Sequence, residues 1–366
     1  MEKLVVYGGS FDPVHNGHLR IASAASLFLN ADVVFVPAKA PRWKTPDATP
    51  EERLAMLKLA LKEKGNASFS IDTVELKAPG DVTYTIDTAR YFKKKYPNRE
   101  LYLLLGADEV NLFPKWKDAE ELAKLMTPLY VTRPGVKLDD AILTKYQMRR
   151  LPFDESGPVS SSAVRELQDI DIPLSVRDYI EKKRLYFFKK LEKMESSHRL
   201  LHSISVANLA YMIAHKNHVE GYHRAYIAGL LHDVAKDLPL EELKKIMKER
   251  YPEAVVYPEW CYHQFVGAYL AEKEFGIKDP VVLDAISYHA TGKPHMSPLA
   301  KIIYASDKIE PTRGYDSKFM IDACLRNYYV GFLTVLEENK KFLKGQGYGS
   351  DDPLSKACMN LYLGEE

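Results

Sequence analysis

The sequence predicts an α/β domain followed by an all-helical domain. In the first half, short apolar runs typical of strands alternate with helical patterns, and this alternation stops after a basic helical stretch at about residues 184 to 197. Nine of the eleven histidines lie beyond residue 197, so the two halves also differ in chemistry. A chain of 366 residues is long for a single domain. We therefore expect one domain over residues 1–190 and a second over residues 195–366.

The first domain is predicted to be a Rossmann-like, doubly wound parallel sheet. Its clearest helix is "TPEERLAMLKLALKEKG", with Thr49 as N-cap, Pro50 in the first turn and Gly65 as the stop. Alternating strands and helices build a parallel sheet covered on both faces, and ligands bind beyond the carboxyl ends of its strands. The expected strands are "KLVVYGG", "ADVVFVPA", "ASFSIDTVELK", "ELYLLLGA" and "TPLYVTRPG".

The loop after the first expected strand, "YGGSFDPVHNGHLR" (residues 7–20), has the composition of an anion site. Gly8 and Gly9 let the backbone approach a ligand closely, and Asn16 or Gly17 is expected to cap the following helix. His15 and His18 are three residues apart near the helix start, so both can face one ligand. No partner at metal-ligand spacing lies nearby, which favours phosphate over zinc. The alternative is a well-capped turn with incidental histidines.

Helical patterns fill the second half, the last of them one long stretch over about residues 317 to 343. One pattern, "GLLHDVAK", contains the adjacent pair His232 and Asp233. Neighbouring helical residues point about 100 degrees apart, so both reach one ion only near a helix end or bend. A single buried histidine is usually a satisfied core residue, but five or six such groups in one bundle need a metal ion to offset desolvation. Four further groups lie in helical segments patterned as core: His202, His263, His289 and Asp307.

Charge and composition exclude several classes of protein. Lys and Arg number 51 against 50 Asp and Glu, so no global field favours a nucleic acid or a membrane surface. No apolar run approaches the roughly 20 residues needed to cross a bilayer, and no signal peptide is recognised. Three widely spaced cysteines fit a reducing compartment rather than a disulfide framework. We expect a cytoplasmic protein with small-molecule partners and without nucleic-acid or membrane partners; homo-oligomerisation is left open.

The first half contains six ordered motifs: "GGSFDPVHNGHL", "VPAKAPRWK", "TYTIDTARYF", "LLLGADEVNLFPKWKDAEEL", "VSSSAVR" and "VRDYIEKKRLY". Together they resemble the motifs of bacterial nicotinate-mononucleotide adenylyltransferases, and the resemblance covers about the first 190 residues. Two positions depart from the family pattern. Trp43 stands where the family usually has histidine, and Ser162 takes the place of a threonine.

This resemblance implies adenylyl transfer from ATP to nicotinate mononucleotide, with release of pyrophosphate. The attacking phosphate is already anionic, so catalysis would rest on positioning and charge stabilisation, with Mg²⁺ carried by the ATP phosphates. Trp116 would stack on the pyridine ring, the alternative being a core aromatic, and Thr85 would lie near the ring carboxylate. The preference for nicotinate over nicotinamide rests on the resemblance alone. The expected phosphate donors are His15, His18, Lys44 and Arg165; the other expected nucleotide contacts are Gly8, Gly9, Ser10, Phe11, Gly106, Asp108, Arg133, and Ser161 and Ser162 at the start of the domain's last helix.

The second half follows the ordered pattern H … HD … H … H … D, with the motifs "HDVAK", "SYHATG" and "ASDKIEPTR". This arrangement resembles the HD phosphohydrolase superfamily, and in particular bacterial symmetrical diadenosine tetraphosphate hydrolases, over about residues 195 to 366. The resemblance implies two divalent metal ions, and mixed imidazole and carboxylate ligands suit iron or manganese. One ion would be held by His202, His232, Asp233 and Asp307, and the other by the bridging Asp233 with His263 and His289.

Two cationic residues of the second half are expected to bind substrate phosphates. Lys236 lies three residues after Asp233 on the same helical face, and Arg313 can form a bidentate clamp; the alternative for each is surface charge. The expected reaction is hydrolysis of diadenosine tetraphosphate to two ADP. Two alternatives stay open: another phosphoester substrate, such as a nucleoside monophosphate or a cyclic dinucleotide, and a non-catalytic nucleotide-sensing or ribosome-associated module.

Overall fold

A computed structural model describes residues 2–40, 45–80, 83–154, 159–345 and 352–364. The chain divides into two compact units. The first comprises Met1–Arg165 and Asp171–Tyr186, and the second comprises Glu166–Ile170 and Phe187–Glu366. The main crossing between units, at Tyr186 and Phe187, lies within the basic stretch that suggested a domain boundary.

The first unit contains one six-stranded sheet in which every pair of neighbouring strands is parallel. The order is β3-β2-β1-β4-β5-β6, so the direction of strand addition reverses between β1 and β4. Val5 of β1 lies opposite Val33 of β2 and Tyr102 of β4. This confirms the predicted doubly wound sheet. The strands are β1 Lys3–Gly9, β2 Asp32–Pro37, β3 Phe69–Ile71, β4 Glu100–Leu105, β5 Thr127–Thr132 and β6 Arg149–Asp154.

Helix ends in the first unit follow capping chemistry. Helix α2 begins as predicted, because the Thr49 side chain accepts a hydrogen bond from the Glu52 N–H, and it ends at Gly65 in the left-handed conformation (φ 62°). Helix α1 differs from the expectation: its N-cap is His15, not Asn16 or Gly17. The helices are α1 Asn16–Leu29, α2 Pro50–Lys64, α3 Thr85–Lys95, α4 Ala107–Val110, α5 Ala119–Leu125, α6 Asp140–Lys145, α7 Ser161–Arg165 and α8 Leu174–Lys183.

Every regular element among the described residues of the second unit is a helix, which confirms the predicted all-α half. The long helix expected near its end is two helices, because the Asn327 side chain accepts hydrogen bonds from the N–H groups of Tyr329 and Val330 and starts a new helix. Among the described residues, no helix combines the length and apolar character that crossing a membrane requires. The helices are α9 Phe188–Met194, α10 Ser197–Lys216, α11 His223–Leu231, α12 Leu240–Arg250, α13 Tyr262–Phe275, α14 Pro280–Ser287, α15 Pro298–Ile309, α16 Lys318–Arg326, α17 Tyr328–Gly345 and α18 Pro353–Leu363.

Two residues that were expected on helices, Lys236 and His289, lie in turns instead. Helix α11 ends at Leu231, so Lys236 lies in the turn after it and does not share a helical face with Asp233. Helix α14 ends at Ser287, and His289 follows it. Both changes place polar groups at helix ends, where side chains of adjacent residues can converge.

Candidate functional site

A buried arginine stabilises the loop after β1 through hydrogen bonds to backbone carbonyl groups. Arg53, on α2, has no exposed surface and donates to the carbonyl oxygens of Ser10 (2.6 Å) and Lys39 (3.0 Å). The Asp12 side chain accepts a hydrogen bond from the Asp47 N–H at 2.8 Å. These contacts fix the loop's backbone. Arg53 was not foreseen, because nothing in a helical pattern distinguishes a buried arginine from an exposed one.

The rings of His15 and His18 form a close, tilted pair at the start of α1. Their ring centroids are 3.6 Å apart, and the His15 backbone N–H donates to His18 Nδ1 at 3.2 Å. Because Nδ1 of His18 accepts a hydrogen bond, its proton is on Nε2. Burial lowers the pKa of His18 to about 3, and burial followed by the neighbouring His18 lowers that of His15 well below its usual range. Both rings are therefore neutral at physiological pH.

Arg165, Ser161 and Ser162 lie beside the same loop. Arg165 donates to the Asp12 carbonyl oxygen (2.7 Å), pairs with the Asp47 carboxylate (2.7 Å) and contacts Ser162 Oγ (3.2 Å). The Ser161 hydroxyl donates to a carbonyl oxygen of the loop at 2.9 Å. The two serines begin the five-residue α7 rather than the unit's last helix, which is α8. Lys44 lies outside the described residues.

A cavity of about 420 Å³ opens at the carboxyl ends of β1 and β4, where the strand order reverses. A Cβ on Gly9 would lie 3.1 Å from the Phe11 ring, whereas one on Gly8 would meet no atom within 4 Å. Trp116 packs on Phe113 at 5.4 Å between ring centroids and also lines the cavity, so it has both a core contact and an accessible surface. Six predicted nucleotide contacts line the cavity: Gly8, Gly9, Ser10, Thr85, Asp108 and Trp116.

The other predicted contacts of the first unit that the structure describes do not line the cavity. Arg133 pairs with Asp108 at 3.3 Å, and Gly106 is the N-cap of α4. Phe11 is buried, and its ring lies 5.2 Å from the His18 ring, so it supports the histidine pair rather than facing the cavity. Predicted residues outside the cavity lining are Phe11, His15, His18, Gly106, Arg133, Ser161, Ser162 and Arg165.

In the second unit, six buried imidazole and carboxylate groups converge from α10, α13, α15 and the turns after α11 and α14. Asp307 Oδ1 lies 3.2 Å from His202 Nε2 and 3.5 Å from His232 Nε2. The other carboxylate, Asp233, has its Oδ1 3.4 Å from His263 Nε2 and 3.3 Å from His289 Nε2. Three overlapping groups have ligand atoms within 4.8 Å of one another: His202, His232, Asp233; His232, His289, Asp307; and Asp233, His263, His289.

The orientation of these rings fits metal ligation. His232, His263 and His289 each donate Nδ1–H to the carbonyl oxygen three residues earlier, at 2.7, 2.9 and 2.8 Å. His202 Nδ1 instead lies 2.9 Å from Glu310 Oε1. Each Nε2 atom is thereby directed into the cluster, as in metal sites whose ligands are oriented by outer hydrogen bonds. Among the described residues, the buried His232 Nε2 has no hydrogen-bond partner, which an ion would supply.

Cations surround the two carboxylates. Arg313 Nη2 lies 2.6 Å from Asp307 Oδ1, Arg199 Nη1 lies 2.7 Å from Asp233 Oδ2, and Lys236 Nζ lies 3.2 Å from the His263 ring. Burial alone would raise the pKa of Asp233, but its contacts with His232 and His289 hold it well below its usual range. The carboxylate is therefore charged. The structure brings Lys236 and Arg313 to the cluster.

Sequence reasoning missed two members of this cluster, Arg199 and Glu310. Arg199 is three residues before His202, one turn away on α10, and this spacing was an available signal. Glu310 follows α15 directly, and its contact with His202 depends on how two distant helices pack.

Comparison with known proteins gives each unit a class. Residues 6–167 match the "Cytidylyltransferase-like" family, and residues 199–312 match the "HD domain" family. The first unit is therefore a cytidylyltransferase-like domain, and the second contains an HD domain.

Relatives with both domains identify the family. A Mycoplasma genitalium protein, 34% identical over 315 residues (85% of this chain and 88% of the relative), is named "Probable nicotinate-nucleotide adenylyltransferase/Ap4A hydrolase". A Bacillus subtilis protein named "Nicotinate-nucleotide adenylyltransferase" is 35% identical over 195 residues, covering 51% of this chain and 99% of the relative. A Clostridium acetobutylicum crystal structure, described as a "predicted HD superfamily hydrolase involved in NAD metabolism", is 32% identical, covers 49% of this chain and 95% of that one, and has a TM-score of 0.44. The chain belongs to the family of nicotinate-nucleotide adenylyltransferase/Ap4A hydrolase proteins.

Proposed function

We propose that the first unit transfers the adenylyl group of ATP to nicotinate mononucleotide, giving deamido-NAD and pyrophosphate. The observation that carries this proposal is the cavity at the reversal of strand order, lined by Trp116, Thr85 and the glycines that end β1. An indole offers a pyridine ring a flat apolar surface, and the N-terminus of α3 at Thr85 favours an anionic substituent. The names of the relatives support the same reaction.

In this mechanism the phosphate of nicotinate mononucleotide attacks the α-phosphorus of ATP in line, and pyrophosphate leaves. The attacking oxygen is already anionic, so the protein supplies position and charge stabilisation rather than a nucleophile. His18 donates its Nε2–H to a phosphate oxygen as a neutral group, and His15 lies beside it. Arg165 and Lys44 add positive charge, with Arg165 exchanging its pairing with Asp47 for the triphosphate. Mg²⁺ accompanies the ATP phosphates.

The direct test supplies the purified chain with ATP, Mg²⁺ and nicotinate mononucleotide. We expect deamido-NAD and pyrophosphate in equal amounts, separated by chromatography. Absence of the dinucleotide from well-folded protein would exclude the proposed transferase.

We propose that the second unit binds two divalent metal ions and hydrolyses diadenosine tetraphosphate symmetrically, to two ADP. The observation that carries this proposal is the position of Asp233, which belongs to two of the three overlapping groups of possible ligands. His202, His232 and Asp307 would complete one site, and His263 and His289 the other. Iron or manganese suits this donor set. When bound, two such ions supply a nucleophilic water at neutral pH and neutralise phosphate charge.

The cationic residues of the cluster support a substrate with several phosphates. Arg313, Lys236 and Arg199 each lie within 3.2 Å of a ligand residue, so they can donate to consecutive phosphates held beside the ions. A monophosphate would engage only part of this set. Placing the middle of the tetraphosphate at the cluster makes ADP the leaving group and ADP the second product.

The test uses the full chain with a panel of dinucleoside polyphosphates, nucleoside monophosphates and cyclic dinucleotides, after metal analysis. We expect about two equivalents of metal, as two-ion catalysis requires, and ADP as the sole product from diadenosine tetraphosphate. AMP with ATP as products would exclude symmetrical cleavage. Protein without metal and without hydrolysis of any panel member would indicate a binding module.

A further inference from the structure

The acidic residues that line the cavity of the first unit are all engaged by hydrogen-bond donors. Both Glu75 oxygens accept hydrogen bonds from threonine hydroxyls, Thr88 at 2.7 Å and Thr83 at 3.1 Å. Asp108 pairs with Arg133 at 3.3 Å. Glu109 accepts a hydrogen bond from the backbone N–H that begins α4, at 3.1 Å. Acids already engaged in this way do not attract a cationic ligand strongly.

Lys117 lines the same cavity and keeps its positive charge available. Its Nζ lies 4.3 Å from the centroid of the Tyr84 ring. Among the described residues no carboxylate lies within ion-pair distance of this ammonium group. The acids nearby in sequence, Asp87 and Asp118, both pair with Arg90. A cation held only by an aromatic face can turn to an anionic ligand at little cost.

Through its contact with Tyr84, Lys117 lies at the start of helix α3. Tyr84 is the N-cap of the eleven-residue α3, and Thr85 is its first helical residue. The helix start and Lys117 therefore place two positive features at one end of the cavity, next to Trp116. Lys115 also lines the cavity, but no contact among the described residues fixes its ammonium group there.

We infer that Lys117 is a specificity-determining residue that selects the anionic pyridine carboxylate of nicotinate mononucleotide over the neutral carboxamide of nicotinamide mononucleotide. The inference rests on the proposed adenylyl transfer and on the stacking of the pyridine ring on Trp116. With the ring there, its substituent faces the start of α3 and the Lys117 ammonium group. Glu75 lines the same cavity and opposes an anion there, so the positive charge of Lys117 is what restores the preference for a carboxylate.

The experiment measures kcat/KM for both mononucleotides with the full chain, Lys117→Met and Lys117→Arg. Methionine keeps the length of the side chain and removes its charge. We expect Lys117→Met to lower kcat/KM for nicotinate mononucleotide about tenfold, as for a charged hydrogen bond that is partly screened by solvent. The value for nicotinamide mononucleotide should change by less than about twofold, and Lys117→Arg should restore the wild-type ratio. Lys94→Met, on the exposed last turn of α3, is the matched control.

The outcomes separate this inference from the proposed function. If the wild-type chain makes no deamido-NAD, the transferase proposal fails. If the wild type is active and Lys117→Met keeps the wild-type ratio of the two substrates, selection by Lys117 is overturned. An equal loss for both substrates also overturns it, because Lys117 would then hold Tyr84 in place without reading the ring substituent.

Discussion

Histidine has opposite environments in the two units. The rings of His15 and His18 contact each other, no carboxylate of the described residues is hydrogen-bonded to either ring, and burial lowers the pKa of His18 to about 3. Burial also acts to lower the pKa of His202, but hydrogen bonds with Asp307 and Glu310 raise it to about 9. Neutral rings suit donation to anionic phosphates, whereas rings directed by carboxylates suit ligation of cations. Burial acts in the same direction on His18 and His202, so the carboxylate neighbours of His202 account for the difference between their pKa values.

The largest expected effect that tests this comparison is loss of the shared carboxylate. Asp233→Ala should reduce hydrolysis of the dinucleoside tetraphosphate below detection and lower the metal content, because both groups of imidazoles lose their common anion. Adenylyl transfer should persist. Product chromatography and metal analysis measure both results, with Asp322→Ala on the exposed side of α16 as the control. Retained hydrolysis in Asp233→Ala would remove this residue from the centre of the site.

A smaller effect is expected at the loop after β1. His18→Ala should lower the turnover of adenylyl transfer by about 100-fold, the loss typical of one preorganised donor. Hydrolysis by the second unit should not change, because His18 belongs to the other unit. His198→Ala, an exposed histidine of α10, is the control. A normal rate of adenylyl transfer in His18→Ala would show that the histidine pair is only a helix cap.

An effect of intermediate size is expected at Glu310, the carboxylate that contacts His202 Nδ1 in the second unit. Glu310→Gln keeps the acceptor for His202 Nδ1–H but removes its negative charge. Changes to such outer partners weaken metal binding about 10- to 100-fold. We expect the affinity for metal to fall only about tenfold, because an acceptor remains. Titration against a competing chelator measures this, with the exposed Glu249→Gln of α12 as the control. Equal affinities would indicate that Glu310 orients no metal ligand.

The smallest expected signal is that the His18 ring does not titrate near neutral pH. Since the pKa of His18 is lowered to about 3, its ring should stay neutral between pH 5 and 8, with the proton on Nε2, although the ordinary histidine pKa of about 6.5 lies within that range. The unfolded chain binds a proton there that the folded chain does not, so His18 lowers stability as pH falls below 6.5. Nitrogen-15 NMR of labelled histidine, assigned with His18→Gln, reports the ring directly. An inflection near pH 6.5 would contradict the neutral pair.

Local chemistry made much of the fold predictable. The Thr49 cap and the Gly65 stop of α2 are read from neighbouring residues, and the buried central strands are continuous apolar runs. Strand β6 was not predicted, because "RRLPFD" carries charges and a proline on a sheet edge, where no apolar run is required. The split between α16 and α17 depends on the side chain of Asn327, a residue that occurs in both helices and turns.

The candidate sites were predictable to a different degree. All six expected metal ligands converge, because imidazoles and carboxylates within apolar patterns have few other uses. Arg53, Arg199, Glu310 and Lys117 were assigned no role, because charged residues are abundant and their partners lie far away in sequence. Only the packing of distant elements distinguishes such a residue from surface charge.

The three ring-to-carbonyl hydrogen bonds of His232, His263 and His289 bear on how ions enter and leave the second unit. Each ring is oriented by its own stretch of backbone, so the ligands are in place before an ion arrives. Loading then needs proton release but no refolding, unlike in domains that fold only around their metal. An ion can be removed and replaced while the helices stay intact. Since iron and manganese both suit such ligands, we expect the ion that is bound to follow its availability around the protein.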